Sequence, residues 1–460
     1  MQYYQEPSKQ IPVRNFDVII AGGGTTGVVA ALASARNGAK TALVESKGYV
    51  GGTVVEGGTA LHSFYNLWKA FPGVKKRQVV RGIPQEIIDR LLKKGGTTGH
   101  LEMLKGYDYD SVCTVIDTEI YKLVAFEMLK EAGVNVFVNT MLVDVIKDGT
   151  IVRGILTESR SGREAFMASA FVDCTGYGDL CAHAGAEYTE PNDHPVANSI
   201  GVGGVNIESY YHFLNQNDAL TQLSRGTRSG KEEQIIRIDG SLAKACPEFY
   251  EEASKIGMSA VITSMYDDFF MFLKLNYRTA VSPTDRDEAA VAELELRRRQ
   301  FAAVQLLQEY IPGCENAFIA RSSPSICIRR GRCISCDYDI TLDDILEGRH
   351  FKDDVMAYGF HDCAPRLKIR EGGTYGVPYR ALRVKGIDNL LAAGMMITSE
   401  HDAHMSTRNT VSCMAQGQAA GTAAALCAKQ NCFTRELSTS LLQKVLIQDG
   451  VYLEIHSSSD

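Results

Sequence analysis

The clearest chemistry in this sequence lies near its N-terminus. Gly22-x-Gly24-x-x-Gly27 directly follows the apolar run Phe16-Asp-Val-Ile-Ile-Ala21 and opens an Ala-rich stretch that stops at Gly38. A second apolar run, Thr41-Ala-Leu-Val44, ends in Glu45. Strand, glycine turn, helix, strand and acidic residue together suit a dinucleotide. Gly22 permits a tight turn, Gly24 lets the backbone approach a pyrophosphate, and Gly27 lets helix and strand pack closely. The helix N-terminus offers free N–H groups and the positive end of its dipole to the phosphates. Glu45 accepts hydrogen bonds from ribose hydroxyls. The motif alone does not decide between NAD and FAD. A second glycine pair, Gly51-Gly52, follows Ser46 and Lys47 and permits close approach of a cofactor extending further along the sheet edge.

Cys333-Ile-Ser-Cys336 is a C-x-x-C pair, suited to a redox dithiol or, with Cys327 and Cys363, to a metal. Cys336 adjoins the strand-like Asp-Tyr-Asp-Ile, not a helix N-terminus that would activate a thiolate. Ordinary thiols and no metal are therefore expected.

Three strand–glycine units must position the first motif. The second is Ala170-Phe-Val-Asp-Cys-Thr-Gly176, continuing through Gly178 and Asp179 into an Ala-rich helix. The third is Leu390-Leu-Ala-Ala-Gly394, with a helix over 416–429 behind it. Periodicity predicts a helix over 117–131 and strands over 134–138, 142–146 and 152–157. Between the second and third units, residues 191–370 turn richer in charge, aromatics and helical signals, for example over 287–310. The expected organisation is α/β, with residues 12–190 plus 371–435 forming a nucleotide-binding domain. Residues 191–370 form a second domain, and 436–460 a C-terminal extension.

Composition sets outer bounds. The chain of 460 residues is 45% apolar and 22% charged, which is ordinary globular composition. Its 48 basic and 55 acidic residues leave a net charge of −7, with no basic cluster suited to nucleic acid. No apolar run reaches the ~18 residues of a membrane span. The polar start at 1–16 lacks a signal-peptide core, and scattered cysteines suit reduced thiols, so a cytoplasmic protein is expected.

Further motifs carry a family likeness. Val44-Glu-Ser46 followed by Gly51-Gly52, Val80-Arg-Gly-Ile-Pro-Gln-Glu-Ile-Ile88, Asp117-Thr-Glu-Ile-Tyr-Lys-Leu123, Val172-Asp-Cys-Thr-Gly176 with Gly178-Asp179-Leu180, and Arg329-Arg-Gly-Arg332 lie in order. Asn389 to Gly394, His401-Asp-Ala-His404 with Arg408, and Gly417-Gln-Ala-Ala-Gly421 follow. Together they resemble the FAD-dependent oxidoreductases of the glutathione-reductase-like superfamily, distantly similar to fumarate reductase and succinate dehydrogenase flavoproteins. Tyr177 stands where that pattern usually has an aspartate. The resemblance implies a Rossmann-like FAD-binding domain with an inserted α+β substrate or cap domain, and non-covalent FAD. Gly22, Gly24, Thr25, Thr26, Gly27, Glu45 and the backbone near Leu142 would meet adenosine diphosphate. Ser46, Lys47, Gly52, Thr53, Gly176, Asp179 and Gly394 would meet the diphosphate and ribityl. The N-terminus of the helix carrying Gly417 and Gly421 would face the flavin's N1/O2 edge.

Such an enzyme exchanges a hydride with a small organic substrate and needs a proton donor or acceptor beside it. His404 and Arg408 are the leading candidates. His401, Arg329 and Arg332 come next, and His62 is expected to be structural. Alternatives are a thiol–disulfide or electron-transfer flavoprotein using Cys333 and Cys336, or a flavin subunit of a larger redox complex. Beyond the first unit no second complete G-x-G-x-x-G is found; Gly201-Val-Gly-Gly204 is nearest. Electrons are therefore expected to pass through a substrate, an electron-carrier protein or oxygen rather than NAD(P)H.

Overall fold

The computed structural model of the chain describes residues 4–56, 77–106, 112–362, 367–370 and 373–454. The elements that position the site begin with β1 (Val18–Ala21), α1 (Thr25–Arg36), β2 (Thr41–Val44), α2 (Thr118–Glu131), β3 (Asn135–Phe137) and β4 (Ala170–Asp173). They continue with β5 (Val196–Gly203), β6 (Phe269–Tyr277) and α3 (Arg286–Tyr310), then β7 (Leu390–Ala392), α4 (His401–Thr407) and α5 (Thr410–Gln430).

Short runs of β-branched and small apolar residues, with both faces covered, favour a parallel sheet. The first sheet has the order β7-β4-β1-β2-β3, all neighbours parallel. The three strands that end in glycine turns are thus adjacent, so Gly22, Gly176 and Gly394 open at one edge. The packing of α1 against α5 closes one face. A Cβ at Gly417 would come within 2.4 Å of the Thr26 carbonyl oxygen, and one at Gly421 within 2.1 Å of that of Ala30. These glycines are therefore mid-helix spacers between two backbones, not the start of a helix aimed at a flavin. The helix begins at Thr410, earlier than its apolar pattern indicates. Its first turns carry buried polar residues, Ser412 and Gln416; the Gln416 amide donates to the Ser412 hydroxyl within the helix and to the Thr407 carbonyl just before it.

A second sheet of six antiparallel strands runs 220–228, 231–240, 258–263, β6, β5 and 318–322. α3 lies on it, burying Ala292, Leu296, Ala303 and Leu307. Among these apolar contacts Gln300 donates to Asn198 Oδ1 at 2.7 Å. The apolar core of this unit draws on residues 196–328. Ile340, Val355, Tyr358 and Phe360 instead pack into the core of the first sheet, as do Leu442 and Leu446 of the last helix, Thr439–Gln448. A smaller sheet over 140–167, joined by Val13–Asn15, flanks the end of β2.

Candidate active site

The β1–α1 turn is shaped by steric limits. Gly22 has φ +93°, and a Cβ there would lie 2.5 Å from the Cys174 carbonyl oxygen. At Gly27 a Cβ would lie 1.8 Å from the Gly22 carbonyl oxygen. Gly24 differs: its φ of −64° suits any residue, and a Cβ would meet nothing within 4 Å. No side chain caps α1, whose first N–H groups face that space. Gly24 also bridges in parallel to Gly51, and a Cβ on Gly52 would lie 2.9 Å from the Gly24 Cα. The open room at Gly24 fits a diphosphate held by backbone.

Glu45 is buried at the end of β2. One carboxylate oxygen accepts the Gly23 N–H at 2.6 Å; the other accepts the Lys47 N–H at 2.8 Å and the Ser46 hydroxyl at 3.1 Å. A lone pair remains for a ribose on the oxygen that accepts from Gly23. Lys47 Nζ pairs with Glu56 and reaches Ser325 Oγ at 3.2 Å, tying this loop to the segment after the second sheet. Thr53 is exposed in the turn Gly52–Val54. Leu142 lies just past Thr140, whose N–H donates to the Glu45 carbonyl.

After β4, the fully buried Asp173 accepts the Thr175 and Cys181 N–H groups and the Thr175 hydroxyl, fixing the turn that carries Gly176. Burial raises its carboxyl above the ordinary range. Asp179 begins the next helix and pairs with Arg332 at 2.7 Å. Arg332 also donates to the Tyr177 carbonyl from the same nitrogen, cross-linking the two segments, while its buried Nε has no hydrogen-bond partner. Gly394 N–H donates to Gln416 Oε1 at 2.8 Å.

His404 on α4 has no exposed surface, and neither ring nitrogen has a hydrogen-bond partner. Burial, helped by Arg408 and Arg330, holds its pKa well below the ordinary histidine value, so the ring is neutral. Arg408 pairs with Asp362 at 2.5 Å and leaves its buried Nε unbonded. His401 is more exposed and faces Asp402 at 2.9 Å. His194 lies with its ring 6.0 Å from that of His401, its pKa pushed down to about 2 by burial and by Arg329 and Arg408. Lys274 on β6 is pushed down to about 7 by burial and the same two guanidinium groups. Arg330 pairs with Asp193 at 3.0 Å and donates to the Ser399 carbonyl.

The structure therefore brings His401, His404, Arg408 and Arg329 together and adds His194, Lys274 and Asp362, which sequence reasoning missed. A lysine inside the apolar run of β6 was the one visible signal among them. Cys333 and Cys336 are free thiols, each raised above the ordinary range by burial. Gly201 and Gly203 lie in β5, where a Cβ would meet the Phe269 and Phe318 rings at 2.4 and 2.6 Å, so they serve packing. Among the described residues no cluster of three His, Cys, Asp or Glu suits a metal, and no helix is long and apolar enough to cross a membrane. His62 and Cys363 lie outside the described residues.

What the gap at Gly24 admits is a diphosphate, so the first sheet is a Rossmann-like dinucleotide-binding domain beside an additional domain. Which dinucleotide follows from ancestry: residues 17–446 match the FAD dependent oxidoreductase family, and the chain belongs to it. It is an FAD-dependent enzyme. No curated protein matches the chain. Among solved structures, it is similar to a geranylgeranyl bacteriochlorophyll reductase-like protein from Thermoplasma acidophilum. That match has 11% identity and TM-score 0.49, covering 96% of this chain and 93% of that one. It is also similar to p-nitrophenol 4-monooxygenase PnpA from Pseudomonas putida, at 11% identity and TM-score 0.45 over 95% and 84%. OxyS anhydrotetracycline hydroxylase from Streptomyces rimosus is similar at 11% identity and TM-score 0.46 over 94% and 65%.

Proposed function

We propose that this enzyme exchanges a hydride between non-covalently bound FAD and a small organic substrate seated between α4 and the second sheet. The carrying observation is His404, fully buried yet with both ring nitrogens unbonded. A buried unpaired polar group costs free energy unless a ligand completes it. Bound FAD supplies a two-electron centre that takes or gives hydride. The 22–27 turn, Glu45 and the backbone near Leu142 hold its adenosine end; Ser46, Lys47, Gly52, Thr53, Gly176, Asp179 and Gly394 border the rest. His404, neutral at physiological pH, accepts a substrate proton or donates a neutral hydrogen bond. Arg408, held by Asp362, orients the substrate and offsets charge that develops on it. Buried, protonated thiols at Cys333 and Cys336 do not favour thiol–disulfide chemistry.

An anaerobic screen of organic acids, alcohols and sugars for bleaching of the yellow protein tests this. One class is expected to reduce or reoxidise the flavin directly. Rapid bleaching by micromolar NADH or NADPH, with none by any organic substrate, would replace hydride exchange with a nicotinamide-driven reaction.

A further inference from the structure

Gln416 stands in the second turn of α5 and has no exposed surface. A buried amide is costly unless its donors and acceptor are matched. Here they are matched to peptide groups from two different parts of the site. Oε1 accepts the Gly394 N–H at 2.8 Å, while Nε2 donates to the Thr407 carbonyl at 2.9 Å and to Ser412 Oγ at 3.3 Å. An N–H and a C=O demand opposite ends of the amide, so the side chain is held in one orientation.

Each of those peptide groups is tied onward. Gly394 has φ +119°, and a Cβ there would lie 3.5 Å from Thr26 Oγ1, so the turn after β7 lies against the 22–27 turn. The Thr407 carbonyl shares its peptide unit with the Arg408 N–H, which donates to the His404 carbonyl at 3.1 Å. Thr407 Oγ1 also shares a hydrogen bond with Thr398 Oγ1 at 2.9 Å. One side chain therefore spans from the glycine turns to the peptide that carries Arg408.

We propose that Gln416 is a positioning residue, a strut that fixes His404 and Arg408 relative to the cofactor cradle. The proposal rests on the flavin-dependent function above, in which Gly394 borders FAD and His404 and Arg408 meet the substrate. Gln416 acts through them. Without the strut the 407–408 peptide is free to turn, and a small misplacement of a reacting group costs rate more than binding.

The test compares FAD-loaded wild type, Gln416→Leu and Gln416→Glu on the substrate found by the bleaching screen, from mildly acidic to mildly alkaline pH. Leu drops all three bonds. A protonated Glu keeps an acceptor for Gly394 and a donor for Thr407, whereas an ionised one faces the Thr407 carbonyl without a proton. Burial disfavours the ionised form, so the protonated form holds at the acid end. Cys413 on the same helix approaches the Thr407 carbonyl at 3.7 Å, and Cys174 after β4 faces Cys413. Burial raises both thiols, Cys413 up to about 12, so neither titrates in this range. Titration of Asp173 at the end of β4, or of Asp362 on Arg408, is shared with wild type and cancels in the comparison.

Gln416→Leu should bind FAD and lose roughly 10- to 100-fold in kcat at every pH, with KM changed by less than about threefold. Gln416→Glu should match wild type at the acid end and fall toward the Leu variant as pH rises. The visible absorption of its bound flavin, recorded without substrate, should move with the same midpoint. A residue that merely packs the helix would lower the unfolding midpoint and leave kcat per bound FAD and this pH profile unchanged. Wild-type kcat in Gln416→Leu, or a Gln416→Glu as slow at the acid end as the Leu variant, overturns the proposal. If Gln416→Leu does not fold or bind FAD, Gln416→Glu against wild type decides on the alkaline loss. If no organic substrate bleaches the wild-type flavin, hydride exchange fails, and the substrate-free absorption change in Gln416→Glu decides on the strut: present, the strut stands; absent, it falls.

Discussion

At the edge of the first sheet the 22–27 turn leaves open room with backbone alone, whereas beside β6 the side chains of Lys274, His194, Arg329, His404 and Arg408 gather. The first surface is made by leaving side chains out, and its fit is fixed by where a Cβ would collide or find room. The second is made by bringing charged side chains in from segments far apart in sequence, and it is set by burial and like-charge proximity. A backbone cradle binds what every dinucleotide shares. A side-chain cluster can be substituted without disturbing a backbone cradle that lies apart from it.

The largest expected break in this contrast is at Gly24. Nothing of the protein occupies its Cβ position, so Gly24→Val should leave the fold intact while filling the phosphate space. Purified Gly24→Val should be colourless with a wild-type circular dichroism spectrum. Bound FAD at wild-type stoichiometry would show that the cofactor does not use this space. Gly27→Ala is the counterpart. Its Cβ would strike the Gly22 carbonyl, so it should lower the unfolding free energy by about 1–3 kcal/mol or more, read as an earlier midpoint in denaturant.

Next in size are the side-chain substitutions. His404→Ala and Arg408→Ala should keep FAD and lose about 100- to 10,000-fold in kcat, the usual share of a positioned acid, base or charge. Near-normal kcat/KM in both, measured on the substrate found by the bleaching screen, would move the chemistry to Arg329 and Lys274.

The same contrast explains what could be read from the sequence. Glycine spacing is local, so the three strand–glycine units and their shared sheet were legible before any coordinates. The charges beside the second sheet were legible only in part. Arg329 stood out in the run Arg329-Arg-Gly-Arg332, but His194, Lys274 and Asp362 are isolated from one another in sequence, and only the packing of β5 and β6 against the segment after 322 brings them near α4. The helical start at Thr410 was hidden for a related reason: the turns before Gln416 carry Asn409, Thr410 and Ser412, which look like loop residues until the Gln416–Ser412 hydrogen bond is seen. Gly201 to Gly204 show the converse hazard, since glycine there makes room for Phe269 and Phe318.

A smaller effect should sharpen the backbone side. Glu45 is the charged side chain that touches the 22–27 turn, and its carboxylate is already braced by the Gly23 and Lys47 N–H groups. Glu45→Ala should weaken FAD by about 1–3 kcal/mol through lost charge-assisted bonds. Unchanged affinity in a fluorescence titration would remove Glu45 from the site.

The smallest effect belongs to the cationic side and concerns stability. Lys274 titrates near 7 in the folded chain, against an ordinary lysine value of 10.5. Below about 7 both folded and unfolded chains hold the proton, and folding carries the full penalty of a buried cation beside Arg329 and Arg408. Between about 7 and 10.5 the unfolded chain binds the proton and the folded chain does not, so stability rises with pH across this window. Other groups titrate there too, so the comparison must be differential. Urea unfolding of wild type and Lys274→Met, followed from neutral to alkaline pH, should show the variant relatively more stable at the neutral end, with the curves converging as pH rises. Parallel curves at all pH values would mean that Lys274 is solvated in the folded protein, and the two sides of the site would then differ less in electrostatics than their burial indicates.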